Sequence, residues 1–446
     1  MADGNDTVYY VISDLHIGGD EQLEQVDFHD ELLQFLQRLE EEDEDVELII
    51  NGDAFGLWEF TEIEGLEKFD VLVELYPDLF KQFRETGESI QITLLPGNHD
   101  YELAAYDEYK ERFKEYNIDL VQEESLTRDL GDRRLWFEHG HQRDPHNRIE
   151  DFGAPHATPL GYFMNTYVTS SAGKVSDRGR YNWLKDIQAV TPASRIPTWL
   201  ISKYFYREMN PFLRYAAVPF LLLINISIFL SIFAGLDRAG LWDAPFNMVQ
   251  AFMQNFGLAG EAASMLLTVN IVIAGLLLII GSVAYVFLRD IKNTLNRFGL
   301  FDQPVSPDLD RLYEEAAQNV FTTHPDVAIF CYGHTHRPGI KERNDRLLVN
   351  TGTWLKRLHR RDVVAGRLPP VYYPSYQLTA VRIAESREDD PDGVEVTYEE
   401  IEKPSPTRED LSFLERLLTL GREPEPSLPD RQIVTEQGIQ HPDRED

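Results

Sequence analysis

The chain has a single cysteine, Cys331, in 446 residues. That excludes an intramolecular disulfide and any thiolate metal cluster, so metal chemistry here would have to use oxygen and imidazole ligands. Cys331 lies inside an apolar run and reads as a small core residue. Basic charge is also scarce: 42 Lys+Arg stand against 76 Asp+Glu, a formal net charge of -34. A field of that sign repels polyanions, which excludes long nucleic acid as a partner. The acidity is spread along the chain, as on a surface adapted to high salt, where short screening lengths suppress self-repulsion. The opening "MADGNDTVYYVISDLH" lacks a basic segment followed by an apolar one, so no signal peptide is expected.

Long apolar runs are missing with two exceptions. Residues 216–236, "AAVPFLLLINISIFLSIFAGL", and 264–288, "SMLLTVNIVIAGLLLIIGSVAYVFL", are uncharged. Each is about as long as the twenty or so residues that cross the hydrocarbon core of a bilayer. Both are read as transmembrane helices, with Asn225 and Asn270 able to hydrogen-bond between them. Arg195, Lys203, Arg207 and Arg214 precede the first run and Arg289, Lys292 and Arg297 follow the second, whereas the connection carries only Arg238. The positive-inside rule then puts both outer flanks, and the domain they belong to, on the cytoplasmic side of a multi-pass membrane protein.

Elsewhere, short apolar or β-branched runs end in turn residues: "VYYVIS", "VELIIN", "IQITLLP", "LWFEHG", "VAIFCYG", then "RLLVNTG", "QLTAVRIA" and "VEVTYEEI". These predict strands. Between the first of them, "FHDELLQFLQRLEEE" and "EKFDVLVELYPDLFKQFRE" repeat apolar residues at three and four, as helices do. The alternation predicts an α/β layered domain, and the later strands, with no clear helices between them, suggest a mixed or second sheet. The organisation expected is a first domain part at 1–195, an inserted membrane region at 196–300, a second part at 301–402 and a largely disordered acidic tail at 403–446.

Chemistry-bearing residues collect at the strand ends. "SDLH" carries Asp14 and His16; "NGDAFGLWE" carries Asp53; "PGNHDYE" carries Asn98, His99 and Asp100; "EHGHQRD" carries His139 and His141; "CYGHTHRPG" carries His334 and His336. A polar turn accounts equally well for any one of them. Together they deliver oxygen and imidazole ligands from five strand ends, a donor set that suits Mn, Fe, Zn or Co better than Ca.

The order D-x-H, G-D, G-N-H-D, H-G-H, G-H-T-H resembles the calcineurin-like metallophosphoesterases. That resemblance implies a four-layer α/β/β/α sandwich, here with an inserted two-helix transmembrane hairpin, and two divalent metal ions, with Mn the first choice. It implies that Asp14, His16, Asp53 and His336 hold one ion and that Asp53, Asn98, His139 and His334 hold the other, with His141 as an alternative to His139. His99 would protonate or stabilise the leaving oxygen, and Asp100 would fix its orientation.

"GDAFGLWEF" and "GHTHRP" are similar to UDP-diacylglucosamine pyrophosphatases, which cleave a lipid-linked diphosphate at a membrane surface. Here histidine stands at position 99, where that group commonly has arginine, and H-G-H replaces H-G-D. The function expected is hydrolysis of a lipid-linked phosphoester or pyrophosphate. Hydrolysis of soluble phosphodiesters or nucleotides, or a scaffold on a degenerate site, is the alternative. Between 142 and 214, Arg143, Arg148, Lys174, Arg178 and Arg180 alternate with Tyr162, Phe163, Tyr167, Tyr181 and Trp183. The segment reads either as a substrate-binding cap, with Arg143 and Arg148 on the phosphate, or as a solvated helical surface.

Overall fold

The computed structural model describes residues 7–446 except 25, 180–181, 192–194, scattered positions across 216–244, 298–307, 364–367, 387–392, 404–410, 421–426, 436–437 and 441–446. Fifteen strands are present among the described residues. The first six are β1 (Val8–Ile12), β2 (Val46–Asn51), β3 (Gln91–Leu95), β4 (Ile118–Leu120), β5 (Ser125–Leu130) and β6 (Arg133–Glu138). They are followed by β7 (Val327–Tyr332), β8 (Gly339–Arg343), β9 (Arg346–Asn350), β10 (Arg357–Arg361) and β11 (Val371–Ser375). The last are β12 (Leu378–Glu385), β13 (Val394–Ile401), β14 (Gln432–Thr435) and β15 (Gly438–Gln440). One sheet runs β15-β14-β13-β12-β1-β2-β3-β4 and the other β5-β6-β7-β9-β8, while β10 and β11 pair apart from both.

β1 shows why the sheets stack. Alternate residues of a strand point to opposite faces. Val8, Tyr10 and Ile12 pack with Leu32, Phe35 and Phe80 from the helices His29–Glu40 and Pro77–Thr86. Tyr9 and Val11 meet Leu135, Phe137, Ile329 and Val349 of the second sheet. The outer face of that sheet is covered by helix Leu309–Thr323, whose Tyr313, Ala317 and Phe321 pack on Phe330 and Leu348. The layers are therefore helix, sheet, sheet, helix. The sheet interface accepts no polar side chain without a partner, so Val, Ile and Leu dominate it.

β1, β2 and β3 run parallel, as do β6, β7 and β9. Their carboxyl ends supply the loops that carry the chemistry. The 67–85 pattern is broken into two helices, Glu67–Leu75 and Pro77–Thr86, because Pro77 lacks an N–H and its ring excludes continuation. The tail departs from the disorder expected of it. Ile433 and Val434 in β14 pair antiparallel with β13, and Ser412 and Glu415 form a reciprocal capping box that starts helix Phe413–Leu418. Short β-branched pairs are enough to extend an open sheet edge, even inside an acidic segment.

Residues 196–209, expected in the membrane region, pack instead against the protein. Trp199 and Tyr206 are fully buried, Trp199 with Leu358 and Tyr372, and the Tyr206 hydroxyl donates to the Pro369 carbonyl at 2.7 Å. Lys203 and Arg207, taken above as membrane flanks, are buried beside Glu415, which Arg207 Nε approaches at 3.8 Å. Of the two apolar runs, 264–288 lies within helix Gly257–Arg297, and its stretch Gly257–Ile291 is long and apolar enough to cross a bilayer. That stretch is almost wholly exposed, apart from a stripe of Leu267, Asn270 and Ala274. Most of the run 216–236, including Asn225, lies outside the described residues, as do Arg180 and Tyr181. Among the described residues there is one such helix, and a two-helix hairpin is not established.

Candidate metal centre

Five of the residues singled out from the motifs hold left-handed backbone: Asp14 (φ 55°), His16 (48°), Asp53 (51°), His334 (65°) and His336 (56°). Such angles are unfavourable for residues with a Cβ and persist where surrounding structure enforces them. Here they turn each side chain back over the strand ends. The motif glycines make room. A Cβ on Gly333 would lie 2.6 Å from both Asp14 Oδ2 and Ser13 Oγ, and one on Gly97 would collide with the Asp53 carboxylate and its backbone nitrogen. Gly97→Ala is expected to displace Asp53, costing about 1–3 kcal/mol of stability as overpacking together with a measurable fall in bound metal. Chemical denaturation and metal analysis check this; an unchanged metal content would show that the loop accommodates a methyl group.

The converged side chains form two adjoining groups. In the first, His336 Nε2 lies 3.1 Å from Asp14 Oδ1 and 3.3 Å from His16 Nε2. In the second, His139 Nε2 lies 3.1 Å from Asp53 Oδ2, and His334 closes the set. Asp53 Oδ2 is also 3.7 Å from His16 Nε2, so this carboxylate faces both groups. Asn98 is buried, and its Oδ1 has no hydrogen-bond partner.

These contacts ask for positive charge. His139 Nδ1 donates to the Asn51 carbonyl at 2.9 Å, which turns the Nε2 lone pair of a neutral ring toward a buried carboxylate. Two acceptors so placed repel unless a cation lies between them. Burial disfavours the charge on Asp53, yet His139 and His99 hold its carboxyl well below the usual range. Burial likewise opposes charge on His139, but Asp53 outweighs it and raises the imidazole to about 10. His16 and His141 are driven well below the ordinary histidine value, chiefly by burial. Buried carboxylates, imidazoles whose proton a metal ion can replace and an orphan amide oxygen are the donor set of a divalent-metal site, and the residues present fit a pair of ions.

Two partners of the site were not anticipated. Glu59, 1 % exposed, places Oε1 2.8 Å from His99 Nδ1 and 4.0 Å from His16 Nδ1. Asp144 Oδ2 lies 3.1 Å from His334 Nε2 and also accepts from Asn147 Nδ2. Despite burial, His334 and the neighbouring amide hold Asp144 down to about 2. Asp100 was expected to orient His99, but its carboxylate instead accepts from the backbone of Gly97, Ala54 and Phe55 at 2.6, 2.8 and 3.2 Å. It ties the loop after β3 to the loop after β2, and orientation of His99 falls to Glu59. Burial is opposed at His99 by Glu59 and Asp53, which raise it to about 9.

The remaining expectations separate from the centre. Arg143 makes two 2.9 Å hydrogen bonds to the buried Glu138, so its guanidinium is engaged in the domain's own structure. Arg148 is exposed on the loop beyond it. His141 is buried with its ring 5.5 Å from that of His139 and its Nδ1 unpartnered, next to the second group but outside the closest set.

The family model for calcineurin-like phosphoesterase matches residues 8–220, a span that takes in Asp14, His16, Asp53, Asn98 and His139. Residues 8–220 thus carry a calcineurin-like phosphoesterase domain, which indicates a metal-dependent phosphoesterase, a hydrolase. Among solved structures it is similar to a single mutant of Vps29 from Entamoeba histolytica, with 10% identity, 88% of this chain and 92% of that chain covered and a TM-score of 0.27. It is also similar to a conserved uncharacterized protein from Streptococcus pneumoniae TIGR4 described as a predicted phosphoesterase, with 11% identity, 90% and 93% covered and a TM-score of 0.26. A third likeness is to phosphopantetheinyl hydrolase from Mycobacterium tuberculosis, with 10% identity, 79% and 91% covered and a TM-score of 0.25. Overlaps this weak carry no functional weight. No curated protein sequence matches the chain significantly.

Proposed function

We propose that the protein is membrane-anchored and hydrolyses a lipid-linked phosphoester or pyrophosphate with a pair of divalent metal ions, Mn as first choice with Fe, Zn or Co as alternatives, all of which suit mixed nitrogen and oxygen donors better than Ca. Asp14, His16, Asp53 and His336 would hold one ion, and Asp53, Asn98, His139 and His334 the other. When bound, the pair supplies a water acidified enough to attack near neutral pH and neutralises charge on the phosphoryl oxygens. His99 stands beside this cluster as the donor of a proton to the leaving oxygen, held by Glu59.

The observation that carries the lipid reading is the apolar surface beside His99. The Trp58 ring lies 4.9 Å from His99, and Tyr162 meets Trp58 edge-on at 5.6 Å. From Tyr162 outward, Leu160, Phe163, Met164 and Tyr167 are exposed. Clustered exposed apolar side chains at the rim of a polar site suit an acyl or isoprenyl chain better than water. The exposed apolar helix Gly257–Ile291 supports anchoring, and the basic residues that follow its apolar stretch, Arg289, Lys292 and Arg297, favour a cytoplasmic catalytic domain. Phosphorus NMR with detergent-solubilised protein and Mn²⁺ at high salt tests this. A nucleotide-diphosphate lipid mixed with a lipid phosphomonoester is expected to yield nucleoside monophosphate and phospholipid, or inorganic phosphate. No change in either lipid, with turnover of a soluble diester, would overturn it.

A further inference from the structure

A cavity of about 720 Å³ opens beside the centre, sharing His336 and Thr353 with it. Thr353 Oγ1 donates to the Asp14 carbonyl at 2.8 Å, so the wall is continuous with the first ligand group. The far side is formed by β10 and by Ala189, Thr191 and Arg195 of the segment packed on it. In a chain of net charge -34, this lining is strongly basic: Arg195, Arg337, Lys356, Arg357, Arg360 and Arg361 against one carboxylate, Asp362.

Part of that charge is locally balanced. Arg360 meets Asp362 at 2.9 Å, and Lys356 meets Asp27 and Asp186 at 3.1 and 3.2 Å. Arg357 donates to the neutral Gln377 and Arg195 to the Thr191 carbonyl. Among the described residues, no carboxylate pairs with Arg195, Arg337 or Arg357. The crowding of positive charge is felt by its members: burial and then Arg337 lower the Arg357 guanidinium, and burial followed by Arg357 and Arg361 lowers His359. Guanidinium groups gathered on one wall, with Arg195, Arg337 and Arg357 lacking a carboxylate partner among the described residues, are arranged for an external anion.

We propose that this cavity is the subsite for a second phosphate of the substrate, so that the bond cleaved at the neighbouring centre belongs to a diphosphate. The assignment rests on the reading of the centre given above and narrows it. Water adds across the P–O–P bridge: its oxygen bonds to one phosphorus, the bridging P–O bond breaks, its protons pass to the products or solvent, and each product keeps one phosphate. The cavity is larger than a phosphate needs and falls in the range that holds a small organic ligand, so it also takes the group attached to that phosphate. The shared chemistry is an esterified diphosphate, whether the attached group is a nucleoside or a lipid.

Calorimetry on full-length, detergent-solubilised protein stripped of metal and dialysed free of chelator reads the cavity apart from the centre. Methylenediphosphonate is expected to bind, and Arg357→Gln to weaken it about ten-fold, the loss of one charge-assisted hydrogen bond. Arg337→Gln, at an exposed position with no fold to disturb, is expected to do the same. Affinity equal in wild type and both variants overturns the subsite. Hydrolysis is tested separately, with Mn²⁺ and bis(p-nitrophenyl) phosphate. Diphosphonate binding with turnover of neither this ester nor a diphosphate would sink the reading of the centre and, with it, diphosphate cleavage. ADP and farnesyl diphosphate then distinguish the sources; the tighter binder names the attached group, and neither exceeding inorganic phosphate overturns the proposal.

Discussion

Asp53→Asn should reduce turnover by about 10³–10⁴, equivalent to roughly 4–5.5 kcal/mol of transition-state stabilisation, while leaving the fold intact. Among the described residues, Asp53 is the side chain that faces both ligand groups, with Oδ2 3.1 Å from His139 Nε2 and 3.7 Å from His16 Nε2. Its Oδ1 accepts the His99 backbone N–H at 2.7 Å, so the same carboxylate also fixes the loop that presents the leaving-group histidine. Asparagine preserves volume and can still accept through its oxygen. It cannot supply a second anionic oxygen, and its amide nitrogen would point N–H bonds at whichever ion that oxygen had served. Metal analysis should fall from two ions per chain to one at most, and thermal stability of the metal-stripped protein should fall, because the buried His139 and His99 lose the carboxylate that answers their charge. Two ions retained with more than a tenth of the activity would show that the carboxylate is not shared.

The strands that carry the centre were legible because they are buried on both faces, or, in β6, because Leu135 and Phe137 are buried beside a half-buried Trp136. β1, β2, β3, β6 and β7 read as apolar runs, and their ligands follow immediately, at the turn. Strand β10 was illegible for the opposite reason. Its sequence, Arg357-Leu-His-Arg-Arg, has one fully apolar residue, and its pairing with β11 lies outside both sheets. The basic cavity that it lines was missed with it, and basic residues earlier in the chain were read as phosphate partners instead. Arg143 shows why that failed: sequence displays a guanidinium but not Glu138 five residues before it, turned inward and buried. Glu59 and Asp144 were hidden among 76 acidic residues. Nothing local marks them, since their role exists only once the loop after β2 lies over His99 and the loop after β6 reaches His334.

Glu59→Gln is expected to lower kcat about a hundred-fold for substrates with a poor leaving group and by less than about three-fold for those releasing p-nitrophenolate, a proton donor being worth roughly 10²–10⁴ in rate where one is needed. Glu59 touches no reacting atom; it is a positioning residue. Its Oε1 receives the His99 Nδ1 proton at 2.8 Å, which fixes the ring and aims Nε2 away from the carboxylate, while Trp58 lies tilted against it at 4.9 Å and His16 stands edge-on at 4.4 Å. The charge on Glu59 also favours the protonated ring against the burial that opposes it. Glutamine keeps a hydrogen-bonding oxygen but removes that charge, so the ring stays in place as a weaker proton donor. A good leaving group departs without the proton and does not register the change; an alkoxide does. Glu59 also lies 4.0 Å from His16 Nδ1, and a carboxylate in that position could instead serve as a metal ligand. The two roles part cleanly in experiment. A positioning role keeps both metal ions, steepens the dependence of rate on leaving-group pKa and is partly restored in Glu59→Asp, whereas loss of an ion, with equal slowing across all leaving groups, would assign Glu59 to the metal.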